Sequence, residues 1–256
     1  MSSNKELGTV LVTGAAGAIG YEITRFLNES GYVVIGTDHP DKIPKKDHLD
    51  CCSSWIPQDL ETLCKNESNA KEFCDSVLLK SSNSPFVGIV NNAAIQILNK
   101  FSDLTLKDWM SSLEINLIAP ILLSRNLLNE LEKNSGSIVN IGSIHSCLTK
   151  SNFVAYSTSK AALAGLTRSM AVELGNKVRV NGIDPAAIST PMLDMGFLNK
   201  NELKLKLNSY HPTGYIGNPK DVALAVKFLL DSSNGFLNGC IIDLSGGIKN
   251  RLHDPL

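Results

Sequence analysis

Tyr156 and Lys160 stand four residues apart, so on a helix they share one face. A free tyrosine, with a pKa of about 10, is a poor base at neutral pH. A neighbouring ammonium stabilises the phenolate and moves that pKa toward the useful range. Ser143 ends an apolar run 13 residues before Tyr156. Its hydroxyl can hold a substrate oxygen while Tyr156 exchanges a proton with it. A Tyr-x-x-x-Lys pair also arises by chance on helix surfaces, so its weight depends on its company.

That company begins at Thr13-Gly14-Ala15-Ala16-Gly17-Ala18-Ile19-Gly20, which follows an apolar run and opens a helical pattern. Glycine lets the backbone turn tightly and approach a pyrophosphate closely. The N–H groups and dipole at the helix start then favour phosphate charge. Asp38 follows the second apolar run, 18 residues after Gly20. A dinucleotide fold places an acid there to accept hydrogen bonds from the adenosine ribose. A carboxylate repels a 2′-phosphate, and the sequence puts no Arg or Lys beside it or in the glycine turn. The cofactor expected is therefore NAD rather than NADP. The alternative is that Asp38 only caps a turn in Thr-Asp-His-Pro. Asp59-Leu60 can bracket the adenine, or Asp59 can cap the next helix.

These residues need elements that position them. Strands are expected at Thr9–Thr13, Tyr32–Thr37, Trp55–Pro57, Phe86–Val90, Ser137–Ile141, Val178–Ile183 and Cys240–Asp243. Their apolar runs are continuous rather than alternating, as when helices cover both sheet faces. Helical patterns fill Ile19–Ser30, Leu60–Leu79, Leu104–Lys133, Val154–Leu174 and Lys220–Leu230. Such alternation predicts an α/β, Rossmann-like, doubly wound parallel sheet of seven strands. One sheet accounts for residues 1–256, so a single domain is expected. Asp38–Asp50 reads as a solvated loop. Pro191–Tyr210 reads as a substrate lid.

Bulk properties narrow the function. The chain has 256 residues, 43% hydrophobic, and a formal net charge of −1. That charge offers no basic field for nucleic acid or an anionic membrane. No apolar run approaches the ~20 residues of a membrane helix. The start, Met-Ser-Ser-Asn-Lys-Glu-Leu, lacks a signal peptide's apolar core. The scatter of Cys51, Cys52, Cys64, Cys74, Cys147 and Cys240 fits neither a zinc site nor a disulfide framework. Reduced thiols in a cytoplasmic protein, with no metal, are expected.

On these motifs the chain resembles the short-chain dehydrogenase/reductase family over nearly all its length. The matched stretches are TGAAGAIG, the acid in GTDH, NNAA at Asn91–Ala94, Asn116 in EINL, NIGS ending at Ser143, YSTSK at Tyr156–Lys160, VNGIDPAAIST at Val180–Thr190, and GCIIDLSGG. The resemblance implies that Ser143, Tyr156 and Lys160 are catalytic, with Asn116 joining them through a water. It implies cofactor contacts from Gly14, Gly17, Ala18, Ile19, Gly20, Asp38, Asp59, Leu60, Asn92, Ala93, Tyr156, Lys160, Pro185, Ile188 and Thr190. Lys160 would hold the nicotinamide ribose. Asn92 would face the adenosine side, and Ile188 and Thr190 the carboxamide. Ala18 replaces the usual middle glycine, NNAA replaces NNAG, and Pro185-Ala186 replaces Pro-Gly. Gly17 stands one place early, as in the family's longer epimerase and dehydratase branch, whose added substrate domain this chain is too short to hold.

Pro120, four residues after Asn116, removes the N–H that would bond the Asn116 carbonyl. That carbonyl then either holds a water linking Asn116 to Lys160, or the bend serves packing alone. The pocket is expected along Ile95, Gln96, His145 to Asn152, and the lid from Met192. Gln96, His145 and Asn152 favour a hydroxylated, sugar-like substrate. His145 is either a pocket wall or an extra acid/base. Met192, Leu193, Met195, Phe197 and Leu198 make the lid amphipathic, or are ordinary core packing. Leu122, Leu123, Leu127, Leu128, Leu163 and Leu166 exceed what one sheet face needs. They point to a homotetramer or homodimer, or to a thick monomer core. Three functions fit: an NAD-dependent alcohol dehydrogenase or ketoreductase, an epimerase or dehydratase that recycles bound NAD, and a non-catalytic NAD-binding regulator.

Overall fold

Seven short runs rich in β-branched and apolar residues line up as one parallel sheet in the order β3-β2-β1-β4-β5-β6-β7. They are β1 (Thr9–Thr13), β2 (Val33–Thr37), β3 (Ser54–Trp55), β4 (Phe86–Asn91), β5 (Ser137–Ile141), β6 (Arg179–Pro185) and β7 (Ile241–Leu244). The computed structural model describes residues 6–42, 44–81, 83–197 and 201–252. The extreme ends of the expected domain, and Leu198 to Lys200 of the expected lid, lie outside the described residues.

Neighbouring residues of each strand point to opposite faces, and both faces are apolar. Leu11, Ile35, Ile89, Ile138 and Val180 join one core. Val10, Val12, Val34, Val90, Val139 and Ile183 join the other. The first is covered by α3 (Leu60–Cys64), α4 (Glu67–Lys80), α6 (Ala119–Asn126), α7 (Leu128–Lys133) and α8 (Val154–Leu174). The second is covered by α1 (Ala18–Glu29) and α11 (Pro219–Leu230), which pack on each other. The chain reverses direction across the sheet between β1 and β4. A crevice therefore opens at their carboxyl ends, where doubly wound folds bind ligands.

The structure shortens several expected elements. The expected helix Leu60–Leu79 is two helices, because Asn66 accepts hydrogen bonds from the Asn69 amide and the Ser68 hydroxyl and starts α4 anew. The expected loop Asp38–Asp50 contains α2 (Lys46–Asp50). The expected lid carries α9 (Pro191–Met195) and α10 (Asn201–Tyr210). Leu122, Leu123, Leu127 and Leu163 are buried within their own chain, so they serve a thick core and do not argue for a second subunit.

The expected helix Leu104–Lys133 is interrupted most tellingly. α5 (Leu106–Leu113) starts on a reciprocal Thr105–Asp108 cap. A wide, π-type turn follows over Glu114–Ile118, and the Ala119 N–H reaches back to the Glu114 carbonyl. Pro120 cannot donate, so the register slips by one residue before α6 resumes. Asn116 sits in that turn, 1% exposed.

Replacing Pro120 by alanine restores the missing N–H and lets the turn close as ordinary α-helix. We expect an unchanged or higher thermal midpoint. Turnover should drop by roughly tenfold to a hundredfold, because a small misplacement at the site is costly. Melting curves and single-turnover rates of P120A check both.

Candidate active site

Gly14 leaves β1 with φ +65°, a conformation that favours glycine. A Cβ on Gly20 would lie 2.1 Å from the Gly14 carbonyl oxygen, so α1 closes on the turn only with glycine there. Gly17 caps α1 with no side-chain bond, Ala18 and Ile19 begin the helix, and its first turn carries no acid. The first-turn amides can therefore meet an anionic phosphate, and the turn fits a dinucleotide. Asn92 and Ala93 brace the turn from behind. Their backbone N–H groups donate to the Thr13 hydroxyl, each at 3.0 Å, and the Asn92 amide donates to the carbonyls of Thr13 and Gly14. The Asn92 side chain is thus engaged with the turn's own backbone.

Asp38 is buried at the end of β2 and accepts from the amides of Ala16 (3.0 Å) and His39 (2.8 Å). Lys42 reaches its carboxylate at 3.3 Å. The sequence reading that no lysine stands beside Asp38 is therefore corrected: a turn over residues 38–42 brings Lys42 back. Asp59 caps α3, accepting from the Glu61 amide and the Thr62 hydroxyl, and Leu60 is buried beneath it. On the far side, Pro185 ends β6, Ile188 is buried and bridges Gly217, and Thr190 caps α9 through the Leu193 amide.

The catalytic candidates meet between β5 and α8. Tyr156 and Lys160 are 9% and 2% exposed on the first two turns of α8. The Ser143 hydroxyl is near enough to the Tyr156 phenol to favour its ionised form. The Lys160 ammonium donates to the Ile141 carbonyl at 2.8 Å and lies 5.8 Å from the Tyr156 ring centroid. The Asn116 side chain joins two neighbours. It pairs with the Ile95 backbone in both directions (2.9 and 3.0 Å) and donates to the Ser159 hydroxyl (3.0 Å). It therefore positions the loop after β4 against α8 beside Lys160.

Burial governs the charges. It pushes the Tyr156 phenol up to about 12, with the Ser143 hydrogen bond pulling the other way and the Asp184 charge adding to the rise. The expectation that the lysine lowers the phenol's pKa is thus not met: burial raises it, and the opposing pull comes from Ser143. Burial also lowers Lys160 to about 8, against the attraction of Asp184. Asp184 was not singled out from the sequence. It accepts from the Ser143 amide at 3.0 Å and from the Ser146 hydroxyl.

His145 stacks on Phe153 at 4.3 Å between centroids and meets Tyr156 edge-on. Burial, then the Lys150 charge, lower its pKa to about 4, so it is neutral at ordinary pH. Gln96 is half-buried, and Asn152, exposed with φ +72°, holds the Asn99 amide on its carbonyl. Met192 and Met195 are exposed on α9, which sets aside the core-packing reading for those two.

A family model described as enoyl-(acyl carrier protein) reductase matches residues 14–249. An uncharacterized oxidoreductase of Schizosaccharomyces pombe is 31% identical over 93% of this chain and 90% of its own. The 3-oxoacyl-(acyl-carrier-protein) reductase of Vibrio cholerae is 29% identical over 96% of this chain and 98% of its own. The ligand-free aldohexose dehydrogenase of Thermoplasma acidophilum superposes with a TM-score of 0.87 at 27% identity, covering 98% of both chains. A putative NAD(P)-dependent gluconate 5-dehydrogenase from Beutenbergia cavernae with bound NADP gives 0.85 at 26% identity, covering 96% of this chain and 98% of that one. The chain belongs to the short-chain dehydrogenase/reductase family. It is a nicotinamide-dependent oxidoreductase, and the epimerase and regulator readings are not favoured.

Lys160 gives a signed prediction. Its pKa falls from 10.5 to about 8 on folding, so below pH 8 the folded protein bears the full cost of the buried charge. Between pH 8 and 10.5 the unfolded chain binds more protons, and this group adds stability as pH rises. Lys160→Met should therefore raise the unfolding midpoint at pH 7, with the gain shrinking toward pH 10, while turnover is lost. Thermal melts across that range check it.

Proposed function

We propose that this chain is an NAD-dependent ketoreductase and alcohol dehydrogenase acting on a small, polar, hydroxylated substrate. The observation that carries the reading is the buried Tyr156 phenol beside Ser143, with the buried Lys160 ammonium one helical turn along. A bound nicotinamide dinucleotide would supply the hydride for the carbonyl carbon. Ser143 and Tyr156 hold the carbonyl oxygen, and Tyr156 gives it the phenolic proton, leaving an alcohol. Oxidation runs the same transfers backwards. A phenol pushed up to about 12 rests in its protonated form, which favours the donor role.

Gly14, Gly17, Ala18, Ile19 and Gly20 would hold the pyrophosphate, and Asp38 the adenosine ribose. Lys160 would hold the nicotinamide ribose, with Pro185, Ile188 and Thr190 at the carboxamide. Freed of its helical donor by Pro120, the Asn116 carbonyl is where a water leading to Lys160 would sit. Gln96, His145, Asn152 and Met192 would line the substrate side. Names of relatives that act on 3-oxoacyl groups, aldohexoses and gluconate support a carbonyl or sugar-like substrate. Leu224 and Phe228 on α11 are exposed, as is Phe236, and support a homotetramer or homodimer.

Tyr156→Phe should cut turnover by roughly 100- to 10,000-fold. Calorimetry should show nucleotide binding largely unchanged. The assay follows reduced nicotinamide with a panel of sugars, 3-oxoacyl thioesters and secondary alcohols. Activity that survives Y156F sinks the mechanism.

Cofactor choice rests on Asp38, whose carboxylate would face a 2′-phosphate. Asp38→Ser removes that repulsion and frees Lys42. It should move the NADP-to-NAD preference by roughly tenfold or more toward NADP. Adding Lys42→Ala should take back part of the gain. A wild-type protein that prefers NADP overturns the assignment.

A further inference from the structure

Asp184 is a charged residue at the buried carboxyl end of β6. It is 2% exposed. Strand pairing does not need its side chain, because β6 and β7 pair there through the backbone. A buried carboxylate is costly unless its oxygens and its charge are matched. Both oxygens are matched here, one by the Ser143 amide at 3.0 Å and the other by the Ser146 hydroxyl. Both donors lie on the loop that carries the catalytic serine and forms one wall of the pocket.

The neighbouring chain is shaped to admit this carboxylate. A Cβ on Gly142 would stand 2.0 Å from Asp184 Oδ1. Only glycine fits between Ile141, whose carbonyl receives Lys160, and Ser143, whose hydroxyl lies beside the Tyr156 phenol. The charges that face Asp184 are Lys160 on α8 and Lys249, on the short turn Ile248–Asn250 beyond β7. Tyr156 on α8 feels it as well. Asp243 pairs with it across β7 but is itself exposed, and His145 on the loop is neutral.

We propose that Asp184 is a positioning residue for the reaction. Its carboxylate fixes the Ser143 loop through the gap left by Gly142, and its charge balances the buried ammonium of Lys160. The proposal rests on the reading of Ser143, Tyr156 and Lys160 as the catalytic set. A negative charge beside the pair holds the proton on both the ammonium and the phenol. Removing it should let both lose protons at lower pH.

Asp184→Asn keeps an oxygen for the Ser143 amide and an NH2 for the Ser146 hydroxyl, and removes only the charge. The test is a lysine side-chain NMR titration of the whole protein, with the Lys160 signal assigned by its loss in Lys160→Met. The Lys160 midpoint should fall by about one pH unit in D184N. A purely structural Asp184 leaves it where it is, and an unmoved midpoint overturns the proposal. Gly142→Ala alone should misfold or lose stability. Gly142→Ala with Asp184→Ala should recover the fold and carry the lowered midpoint, which keeps the test open should D184N not fold. A double variant that gains nothing over Gly142→Ala overturns the steric half. Should Y156F remain active, the catalytic reading fails whatever D184N shows. Should Y156F be inactive while the midpoint stays put, Asp184 alone is misread.

Discussion

An ammonium held away from water at the end of a sheet sets the terms for everything around it. Lys160 is among the largest fully buried side chains among the described residues, and it keeps company with Leu11, Ile23 and Ile89 in that respect. Burying a charge of this kind is tolerated only with close partners. The Ile141 carbonyl supplies one, and the Asp184 charge acts on the ammonium from farther off. Both lie at carboxyl ends of adjacent strands, so the sheet register that aligns Ile141 with Ile183 also fixes where the lysine can point. The fold is thus the scaffold for one cation, and the phenol is placed by sharing its helix.

The glycine turn and the helix break answer the same demand at other edges of the crevice. At the turn, Thr13 and Asn92 satisfy one another's groups, so the backbone amides of α1 remain for an anion. At the break, the wide turn lets Asn116 lean out of its helix to tie Ile95 to Ser159. Ser159 precedes Lys160, so α8 is anchored at the residue next to the ammonium. Each device gives up some regular hydrogen bonding locally to fix an atom that the chemistry uses.

The sheet was legible because parallel strands buried on both faces leave continuous apolar runs, and all seven were found within a few residues. Spacing, read with the glycine turn and Asp38, grouped Ser143, Tyr156 and Lys160, and Pro120 marked the bend. Less legible was anything decided by a side chain folding back on its own backbone. Asn66 looked like a polar position within one long helix, and Lys42 looked remote from Asp38. The leucines of α6 to α8 looked like a spare face, because periodicity cannot say how many layers a helix touches. Asp184 did carry a signal. A charged residue in the run Val-Asn-Gly-Ile-Asp-Pro breaks the pattern of a buried strand, and a glycine directly before Ser143 is its steric counterpart.

The order of the two pKa values gives the site its direction. In water a phenol at 10.0 and an ammonium at 10.5 are nearly matched. Here they stand at about 12 and about 8, so the lysine is by far the stronger acid. On the proposed mechanism, Tyr156 gives up its proton to the substrate oxygen and is left as a strong base beside a group ready to release one. Proton return from Lys160 toward the phenolate is then downhill, whether direct or through a water at the Asn116 carbonyl. The same burial that makes the tyrosine a reluctant base makes it a donor that is promptly recharged. On that mechanism the same two groups serve alcohol oxidation in reverse, with Lys160 taking back the proton that the phenol receives.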